Sequence, residues 1–407
     1  MTLAETTLDE DFIRIVSRPT ADPRPVYARM REAAPAFRTP LGFWYVTRYD
    51  LGTEIIRNPK DWPVQPSDPN ASAISLKIES YALQVFRRSL MFMDDPKHKF
   101  LRRLVGGLFN PQAVRDMRAN VAHIVDMQLD ALGDRETVEL KHEFAEKLPT
   151  TVILDLLGID LEHSELFAGI SRAVARILDP QVTPEVIDEG DRIWREATEI
   201  VTEVVERRRR EPRDDLMTGL IQAEDGGDRI SSDDLVGMVM SLGVAGHETT
   251  MNMLTSGLYH LLTRPDTFEQ LRADRSIMPT AIEEFLRWES PPRNSVGRYP
   301  SRDIEIGDQV IRKDDCVYVG YGACNHDPAE FPDPLRFDLR RTPNRHLGLG
   351  IGVHHCLGAG LARMEIDVAL NALMDRYAGI ELAGEVHWEP SFVVRALEGL
   401  PLKLTRS

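Results

Sequence analysis

The segment from Ser232 to Leu262 restricts the fold more than any other part of the sequence. Apolar residues occupy nearly every side of a helix drawn through "LVGMVMSLGVAG", so this helix has to be buried all round. Ser231 and Asp234 predict a cap at its start, and "TRPD" after Leu262 predicts its end. At about 1.5 Å per residue it would run roughly 45 Å, the width of a domain. We therefore expect the fold to be arranged around it.

The rest of the chain predicts an α+β fold that is mainly α, with small β-sheets. Apolar spacing is mostly helical from Pro96 to about Tyr259. Strand-like runs come before this region, in "FWYVTRY", and after it, in "DIEIGDQVI", "DCVYVGYGA" and "SFVVRALEGLPLKLT". Because strands and helices do not alternate, a doubly wound parallel sheet is not expected. No internal repeat or obvious linker divides the chain, so residues 1–407 are predicted to form one domain.

Composition excludes several classes of function. The formal charge of −16, without a long basic run, argues against nucleic acid and anionic membranes as main partners. No stretch reaches ~20 uninterrupted apolar residues, so no membrane span is expected. The acidic N-terminus has no apolar run of signal-peptide length. With only three cysteines a disulfide framework is not expected, and the cytoplasm is the simplest location. Cys316 and Cys324 lie in apolar strand-like runs, where we expect packed side chains.

A polar break, "HETT" from His247 to Thr250, interrupts the long apolar helix. Buried polar groups cost free energy unless they are paired or used. Two interpretations stay open from the residues alone: a functional site, or a hydrogen-bonded kink. The zinc metalloprotease pattern HExxH is not met, because Met251 stands where its second histidine would be.

The stretch "HLGLGIGVHHCLGAG", from His346 to Gly360, holds five glycines, three histidines and one cysteine. Its Cys356 could be an ordinary buried thiol, a catalytic nucleophile, a zinc ligand beside the three histidines, or the thiolate ligand of a haem iron. The zinc interpretation lacks a second nearby cysteine, and the nucleophile lacks a recognisable elbow motif. The CxxCH signature of covalently attached haem is absent.

The haem-thiolate interpretation uses every feature of this stretch. The run "LGAGLARMEIDVALNALMDRY" after Cys356 predicts a helix, which puts the thiol at a helix N-terminus. The N–H groups and the dipole of a helix start favour the thiolate form. Gly350, Gly352 and Gly358 would let the backbone wrap the sulfur and leave room for a flat macrocycle.

Two of the motifs resemble the chemical centre of the cytochrome P450 family. The spacing G-x-G-x-H-x-C-x-G, from Gly350 to Gly358, is similar to the family's haem-binding loop. The run "AGHET", from Ala245 to Thr249, resembles its oxygen-activation motif in a long central helix. The resemblance departs at Leu349, where the family usually has an aromatic residue that shields the sulfur. It implies a single-domain cytochrome P450 fold.

Two further motifs agree in order and spacing. Glu284 and Arg287 match the family's ExxR motif, and Arg336 in "DPAEFPDPLRFD" resembles the third member of that structural triad. His98 and Arg102 in "DDPKHKFLRRLV" resemble residues that contact the haem propionates.

The resemblance implies haem b as cofactor, with Cys356 as its metal ligand. The other implied haem contacts are Gly350, Gly358 and, at the propionates, His98, Arg102, Arg298 and His354. The implied catalytic pair, which would carry protons during oxygen activation, is Glu248 and Thr249. The implied substrate contacts are Ser241, Val244, Ala245, Asn294, Ser295, Val393 and Val394.

The resemblance also implies a monooxygenase that inserts one atom of dioxygen into a C–H bond of an apolar small molecule. No flavin or nicotinamide fingerprint is present, so electrons are expected from a separate ferredoxin and ferredoxin reductase. A basic patch for that partner is predicted from "KHKFLRR" with Arg340, Arg341 and Arg345. The alternatives are a haem-thiolate peroxygenase, a non-catalytic haem-thiolate binding protein and a zinc-binding hydrolase.

Overall fold

Helices supply most of the structure. The computed structural model describes residues 7–18, 20, 22–68, 71, 78–179, 182–222, 224–225, 228–307 and 309–406. In these ranges the helices are accompanied by four small sheets. The predicted α+β fold with a helical majority is confirmed.

The α-helices are numbered in chain order. The first ten are α1 (Leu8–Ser17), α2 (Arg24–Ala33), α3 (Tyr49–Arg57), α4 (Tyr81–Phe86), α5 (Lys97–Gly106), α6 (Pro111–Ala131), α7 (Lys147–Leu157), α8 (Ser164–Ile177), α9 (Pro184–Arg210) and α10 (Leu216–Gln222). The others are α11 (Ser232–Leu262), α12 (Pro265–Ala273), α13 (Met278–Glu289), α14 (Tyr321–Cys324) and α15 (Ala359–Arg376). A π-helical turn, Lys141–Ala145, comes shortly before α7.

The strands are short and form mixed and antiparallel sheets. They are β1 (Ala36–Arg38), β2 (Trp44–Val46), β3 (Thr137–Glu139), β4 (Glu224–Asp225), β5 (Asp228–Arg229), β6 (Ile304–Ile306), β7 (Gln309–Ile311), β8 (Val317–Val319), β9 (Tyr377–Leu382) and β10 (Pro401–Arg406). In the first sheet β2 lies between antiparallel β1 and parallel β8. In the second, β10 lies between β3 and β9, antiparallel to both. The pairs β4–β5 and β6–β7 are hairpins.

The strand-like run "DCVYVGYGA" divides into a strand and a helix. The strand β8 ends at Val319, and α14 begins at Tyr321. Cys324 therefore lies on a helix and not on a strand, which corrects the prediction. Both Cys316 and Cys324 are fully buried, as expected for packed thiols.

The helix α11 has the predicted bounds and lies at the centre of the fold. The Asp234 N–H donates to Ser231 Oγ at 3.2 Å, which confirms the predicted cap. The helix packs against α4, α7, α8, α9, α13 and α15, so it is surrounded by other helices. None of the helices in the described ranges combines the length and the apolar character that a bilayer crossing demands.

Two large core clusters meet along α11. Its N-terminal half, from Leu235 to Val244, packs with α7, α8 and α9. Its C-terminal half, from Met251 to Leu261, packs with α6, α13 and α15. The polar break lies between the two clusters, so the helix leaves one core and enters the next at the point where its polar residues occur.

Candidate active site

A cavity of about 290 Å³ lies at this junction of the two clusters. Its walls come from the middle of α11, from α5, from residues 348–358 and from the start of α15. Eleven of the predicted site residues line it: His98, Arg102, Ser241, Ala245, Thr249, Asn294, Arg298, Gly350, His354, Cys356 and Gly358. Residues that are far apart in the sequence therefore meet in one place, as the motifs predicted.

The cysteine loop, Gly348–Gly358, is shaped by its own backbone. The Cys356 N–H donates to the Leu349 carbonyl at 2.8 Å. Gly350, with φ of 64°, and Gly352, with φ of 68°, adopt the left-handed conformation that residues with a Cβ rarely take. These turns bring the thiol to the cavity just before the first turn of α15.

The surroundings of Cys356 suit a thiolate ligand. Burial raises the pKa of its thiol, while a hydrogen bond from the Gly358 backbone and the positive charges of Arg102 and Arg363 oppose this rise. N–H groups and charges of this kind tune a metal-bound sulfur. A thiol that faces a cavity and is surrounded by such groups is equipped for ligation, which distinguishes it from the packed Cys316.

Glu283 of α13 ties the cysteine loop to α15. Its carboxylate pairs with His346 Nε2 at 2.9 Å and with Arg363 Nε at 2.5 Å. The Gly348 N–H donates to His346 Nδ1 at 3.1 Å. Both His346 nitrogens are therefore engaged away from Cys356, which removes this histidine from the zinc interpretation.

Four side chains form a basic edge of the cavity: His98, Arg102, Arg298 and His354. His98 Nε2 and Arg298 Nε are buried, and no described residue forms a hydrogen bond with either atom. In the described part of the chain, Arg102 has no carboxylate at ion-pair distance. The rings of His98 and His354 lie 4.4 Å apart, and burial lowers the pKa of both. Because buried cations require anions nearby, this basic edge fits the carboxylates of a haem.

The Ala245–Thr249 motif of α11 contributes an acid, Glu248, and a hydroxyl, Thr249. Thr249 lines the cavity, and its Oγ1 donates to the Ala245 carbonyl at 2.7 Å. The neighbouring Glu248 is 9% exposed. Burial, followed by the negative charge of Glu389, raises the pKa of Glu248 to about 7, and the positive charge of Lys141 opposes the rise. This acid can therefore gain or lose a proton near neutral pH.

The polar break is not a fully hydrogen-bonded kink. His247 is buried, and neither ring nitrogen makes a hydrogen bond of normal geometry, although the Glu146 backbone lies close enough to interact. Burial lowers the pKa of His247 to about 4. Asn252, one turn further on, is fully buried, and its side-chain amide has no partner in the described ranges. Unpaired buried groups of this kind favour a functional site over a structural kink.

The Cytochrome P450 family model matches residues 66–382 of the chain. The chain belongs to the cytochrome P450 family. Its relative 6-deoxyerythronolide B hydroxylase from Saccharopolyspora erythraea is 35% identical over 395 residues, which cover 93% of this chain and 95% of that protein.

Solved P450 structures share the fold over nearly the whole chain. The myxobacterial cytochrome P450 CYP267B1, in complex with myristic acid, has a TM-score of 0.87 at 33% identity, with 98% of this chain and 99% of that chain covered. P450BioI, in complex with hexadec-9Z-enoic acid ligated acyl carrier protein, has a TM-score of 0.86 at 30% identity, with 94% and 98% covered. The predicted cytochrome P450 fold is confirmed. This P450 is a haem-thiolate oxidoreductase, a monooxygenase that acts on small molecules with dioxygen.

Four predicted substrate contacts of this P450 are not brought to the cavity wall. Val244 packs into the N-terminal core cluster of α11. Ser295 Oγ accepts a hydrogen bond from the Val319 N–H at 3.0 Å, so it is engaged at a strand end. Val393 packs with the aromatic cluster of the first sheet, and Val394 bridges to the segment after α13. Each of these side chains is held by local packing that the motif pattern does not report.

The structural triad of this P450 has a different third member from the predicted one. Glu284 and Arg287 form a fully buried ion pair at 2.8 Å, as expected. Arg341 completes the triad, with its Nε 3.2 Å from Glu284 and its side chain 9% exposed. The Arg336 side chain is 68% exposed, and only its backbone carbonyl joins the cluster, as an acceptor for the other two arginines. The prediction of Arg336 is therefore wrong, because the chain turns its side chain to solvent.

The predicted basic patch is smaller than the sequence indicated. Arg341 belongs to the buried triad, whereas Arg340 pairs with Asp274 at 2.5 Å and Lys97 pairs with Asp234 at 2.8 Å. Lys99 and Arg103 are exposed on α5, and Arg345, also exposed, lies 3.8 Å from Glu330.

Sequence reasoning missed Glu365 of α15. This carboxyl group lines the cavity at 3% exposure, and one of its oxygens has no hydrogen-bond partner among the residues that the structure describes. Burial raises the pKa of Glu365 to about 8, so it is mostly protonated at neutral pH. The one signal in the sequence is spacing: Glu365 lies four residues after Leu361 and three before Val368, on the apolar stripe of the predicted helix.

Proposed function

We propose that this P450 is a haem b monooxygenase that hydroxylates an apolar small molecule, with electrons from a separate ferredoxin and ferredoxin reductase. The observation that carries the proposal is one cavity whose walls include Cys356 and, on α11, Ala245, Gly246 and Thr249. Glu248 follows these residues on α11 and is buried, but it is not among the described residues that line the cavity. Oxygen activation needs a haem ligand close to a hydroxyl and an acid that can supply protons. We take residues 1–407 as one catalytic domain, and a cytoplasmic location stays a prediction from the low cysteine content.

A bound haem would supply the activation of dioxygen and the transfer of one oxygen atom to a C–H bond. Cys356 would hold the iron as a thiolate, which the Gly358 N–H and the charge of Arg102 favour. The basic edge would bind the haem carboxylates through charge-assisted hydrogen bonds. Anchors at both places would fix the orientation of the haem in the cavity.

Glu248 and Thr249 have different roles in proton transfer. The Thr249 hydroxyl donates to the Ala245 carbonyl, so its oxygen is left to accept a hydrogen bond from a group in the cavity. Glu248 exchanges protons near neutral pH because burial raises its pKa to about 7. Thr249 would therefore orient a proton, and Glu248 would resupply it. Acid–base help of this kind contributes ~10²–10⁴-fold to a rate.

The lining of the cavity favours an apolar substrate. The apolar residues near the α11 wall are Leu90, Met91, Ile153, Met238, Leu242, Pro291 and Val296. Two polar side chains near this wall are already engaged by the protein itself. Ser241 donates to the Met238 carbonyl at 2.8 Å, and Asn294 donates to the Phe392 carbonyl at 2.7 Å while accepting from Tyr45 at 2.8 Å. The myristic acid bound by CYP267B1 is largely apolar and supports the same substrate class.

A surface for an acidic electron carrier borders the cysteine loop. Val353, within the loop, is 41% exposed. Lys99 and Arg103 are exposed on α5, the helix whose other face lines the cavity. Exposed positive charge on this helix suits docking of a small acidic protein such as a ferredoxin.

The presence of an acid, Glu248, next to a hydroxyl, Thr249, favours a monooxygenase over the alternatives. A haem-thiolate enzyme driven by peroxide receives its protons with the peroxide, and a non-catalytic haem-thiolate protein transfers none. Neither would need a buried acid beside a hydroxyl at the cavity.

The proposal is tested with the haem-containing protein, a surrogate ferredoxin and reductase, and compounds that shift its absorption spectrum on binding. Turnover under isotopically labelled dioxygen should give a product that carries one labelled oxygen atom per molecule. A product that forms only with added peroxide, or that carries no label, would contradict the proposal.

A further inference from the structure

An ion pair between Lys141 and Glu389 lies within electrostatic range of Glu248. Lys141 Nζ donates to Glu389 Oε1 at 2.7 Å and to the Leu397 carbonyl at 2.6 Å. Lys141 is 5% exposed, whereas the Glu389 side chain is 37% exposed. The pair therefore joins the protein interior to solvent, close to an acid that the proposed reaction uses.

A π-helical turn sets the position of Lys141. Lys141–Ala145 form this turn, which packs directly against α11. π turns are rare and often occur at functional sites. The turn buries an amine, which is costly unless the amine is paired. Because Glu389 and a backbone carbonyl satisfy the amine, the fold holds Lys141 in place and Lys141 holds Glu389.

The other strong charges around Glu248 belong to a separate cluster. Arg172 of α8 forms an ion pair with Glu146, and His142 Nδ1 lies 3.0 Å from the same carboxylate. Burial raises the pKa of Glu146, but His142 and Arg172 outweigh it and leave this pKa lowered. Glu146 is therefore held as an anion between two basic groups, which suits it poorly for passing protons on.

We propose that Glu389 and Lys141 form the solvent-side end of the proton route to Glu248, with Lys141 holding Glu389 in position. This inference rests on the proposed function. A proton passes from bulk water to the Glu389 carboxylate, then through water to the Glu248 carboxylate, and leaves Glu248 toward the cavity. Both carboxylates return to their starting state, so one proton moves and no electron is exchanged. Lys141 is a positioning residue, because it acts through Glu389, and Glu389 passes the proton on without lining the cavity.

The charges of the pair act on Glu248 in opposite directions. After burial, the negative charge of Glu389 is the strongest cause of the raised pKa of Glu248, and the positive charge of Lys141 is the strongest opposing one. Removing the charge of Glu389 should therefore lower the pKa of Glu248. Removing the charge of Lys141 should raise it.

The test uses Glu389→Gln, because glutamine keeps an oxygen that can accept the hydrogen bond from Lys141. Glu385→Gln is the matched control: it removes the same charge from an exposed residue nearby in the sequence, whose nearest ion-pair partner is His387 at 3.8 Å. One readout is the infrared band of the Glu248 carboxyl in the oxidised haem protein, assigned by its loss in Glu248→Gln. The other is the pH profile of product formation.

Glu389→Gln should move the infrared titration of Glu248 to lower pH by roughly half to one unit. It should also move the pH profile of product formation in the same direction and lower the rate at neutral pH several-fold. Glu389→Asp should recover part of the rate, and Glu385→Gln should change neither readout. Lys141→Met should move the titration to higher pH. If Lys141→Met does not fold, the result of Glu389→Gln alone decides the test.

An unchanged titration in Glu389→Gln, or an equal shift in the control, would overturn the inference. A shifted titration with an unmoved pH profile would also overturn it, since the pair would then change the pKa of Glu248 without supplying protons to it. Failure of the proposed function is a different result: the parent protein forms no product, while the infrared titration can still be read.

Discussion

The cysteine loop and the polar segment of α11, His247–Asn252, meet at one cavity but are built in opposite ways. The loop is closed by its own backbone hydrogen bonds, from the Cys356 N–H to the Leu349 carbonyl at 2.8 Å and from the His355 N–H to the Gly352 carbonyl at 3.1 Å. In the polar segment, buried nitrogen and oxygen atoms of His247 and Asn252 have no partner in the described ranges. The cavity therefore lies between a loop that is closed by its own backbone hydrogen bonds and a helix segment that contains buried, unpaired side chains.

The difference follows from what each wall has to do. A metal ligand must stay in one geometry, so a closed set of hydrogen bonds suits the cysteine loop. A proton route needs groups that can change partners, so complete pairing would disable it. Each buried unpaired group costs about 1–3 kcal/mol, and His247 and Asn252 carry such groups in the segment that contains Glu248. On the proposed function, this cost falls in the segment that would move protons.

The largest effect should come from breaking the buried Glu284–Arg287 ion pair of α13, the helix that also holds the cysteine loop through Glu283. Arg287→Met leaves the Glu284 carboxylate buried without its main partner, which should cost about 3–5 kcal/mol of unfolding free energy. Denaturation of the haem-containing protein with urea measures it, and loss of folded protein on expression is the extreme form of the same result. Arg336→Ala is the control, because that side chain is 68% exposed and should change stability little. Equal stability of the two variants would refute the triad described above.

The next effect should appear at the basic edge. Arg102→Ala and Arg298→Ala each remove a charge-assisted contact with a haem carboxylate, worth about 1.5–3 kcal/mol. Haem transfer to excess apomyoglobin should therefore become roughly tenfold faster or more in each variant, and faster still in the double variant. Lys99→Ala, on an exposed face of the same helix as Arg102, should transfer haem at the parent rate. A double variant that retains haem like the parent would exclude this role.

A smaller effect should appear on the α11 side of the cavity, in how tightly product formation is coupled to electron consumption. Thr249→Ala should keep haem, substrate binding and electron consumption, but lower the product formed per reduced nicotinamide several-fold and release hydrogen peroxide instead. Thr255→Ala is matched to it, since Thr255 makes the same bond to the preceding turn, to Met251 at 2.9 Å, and does not line the cavity. If the two variants are equally well coupled, Thr249 is only a structural hydroxyl.

The smallest effect should come from Leu349, which lines the cavity at the start of the cysteine loop. Leu349→Phe adds an apolar ring beside the sulfur and should preserve ligation. Excluding water from the sulfur disfavours the additional negative charge of the reduced haem, so the reduction potential should fall modestly. Potentiometric titration measures it, and a raised potential would show that sulfur shielding does not dominate at this position.

The features that the sequence predicted well are local ones. The start of α11 follows from a capping serine and the apolar run that comes directly after it, and its end follows from "TRPD". The loop around Cys356 is predictable because its glycines have to supply left-handed turns at fixed spacing. Each of these features is encoded by neighbours in the chain.

The features that the sequence did not predict depend on tertiary contacts. Arg341 rather than Arg336 reaches Glu284, and only the path of the folded chain decides which arginine points inward. Lys141 and Glu389 meet across 248 residues, and neither lies in a motif. Periodicity and motif spacing contain no information on such pairs.

The claim that Cys356 holds the iron is tested most directly by the absorption spectrum of the reduced protein with carbon monoxide. The account predicts the strongly red-shifted Soret band of thiolate ligation in the parent, and its loss in Cys356→Ala. The parallel variant Cys316→Ala, at a packed thiol outside the cavity, should keep the band. A parent spectrum typical of histidine ligation, or a red-shifted band that survives in Cys356→Ala, would contradict the account.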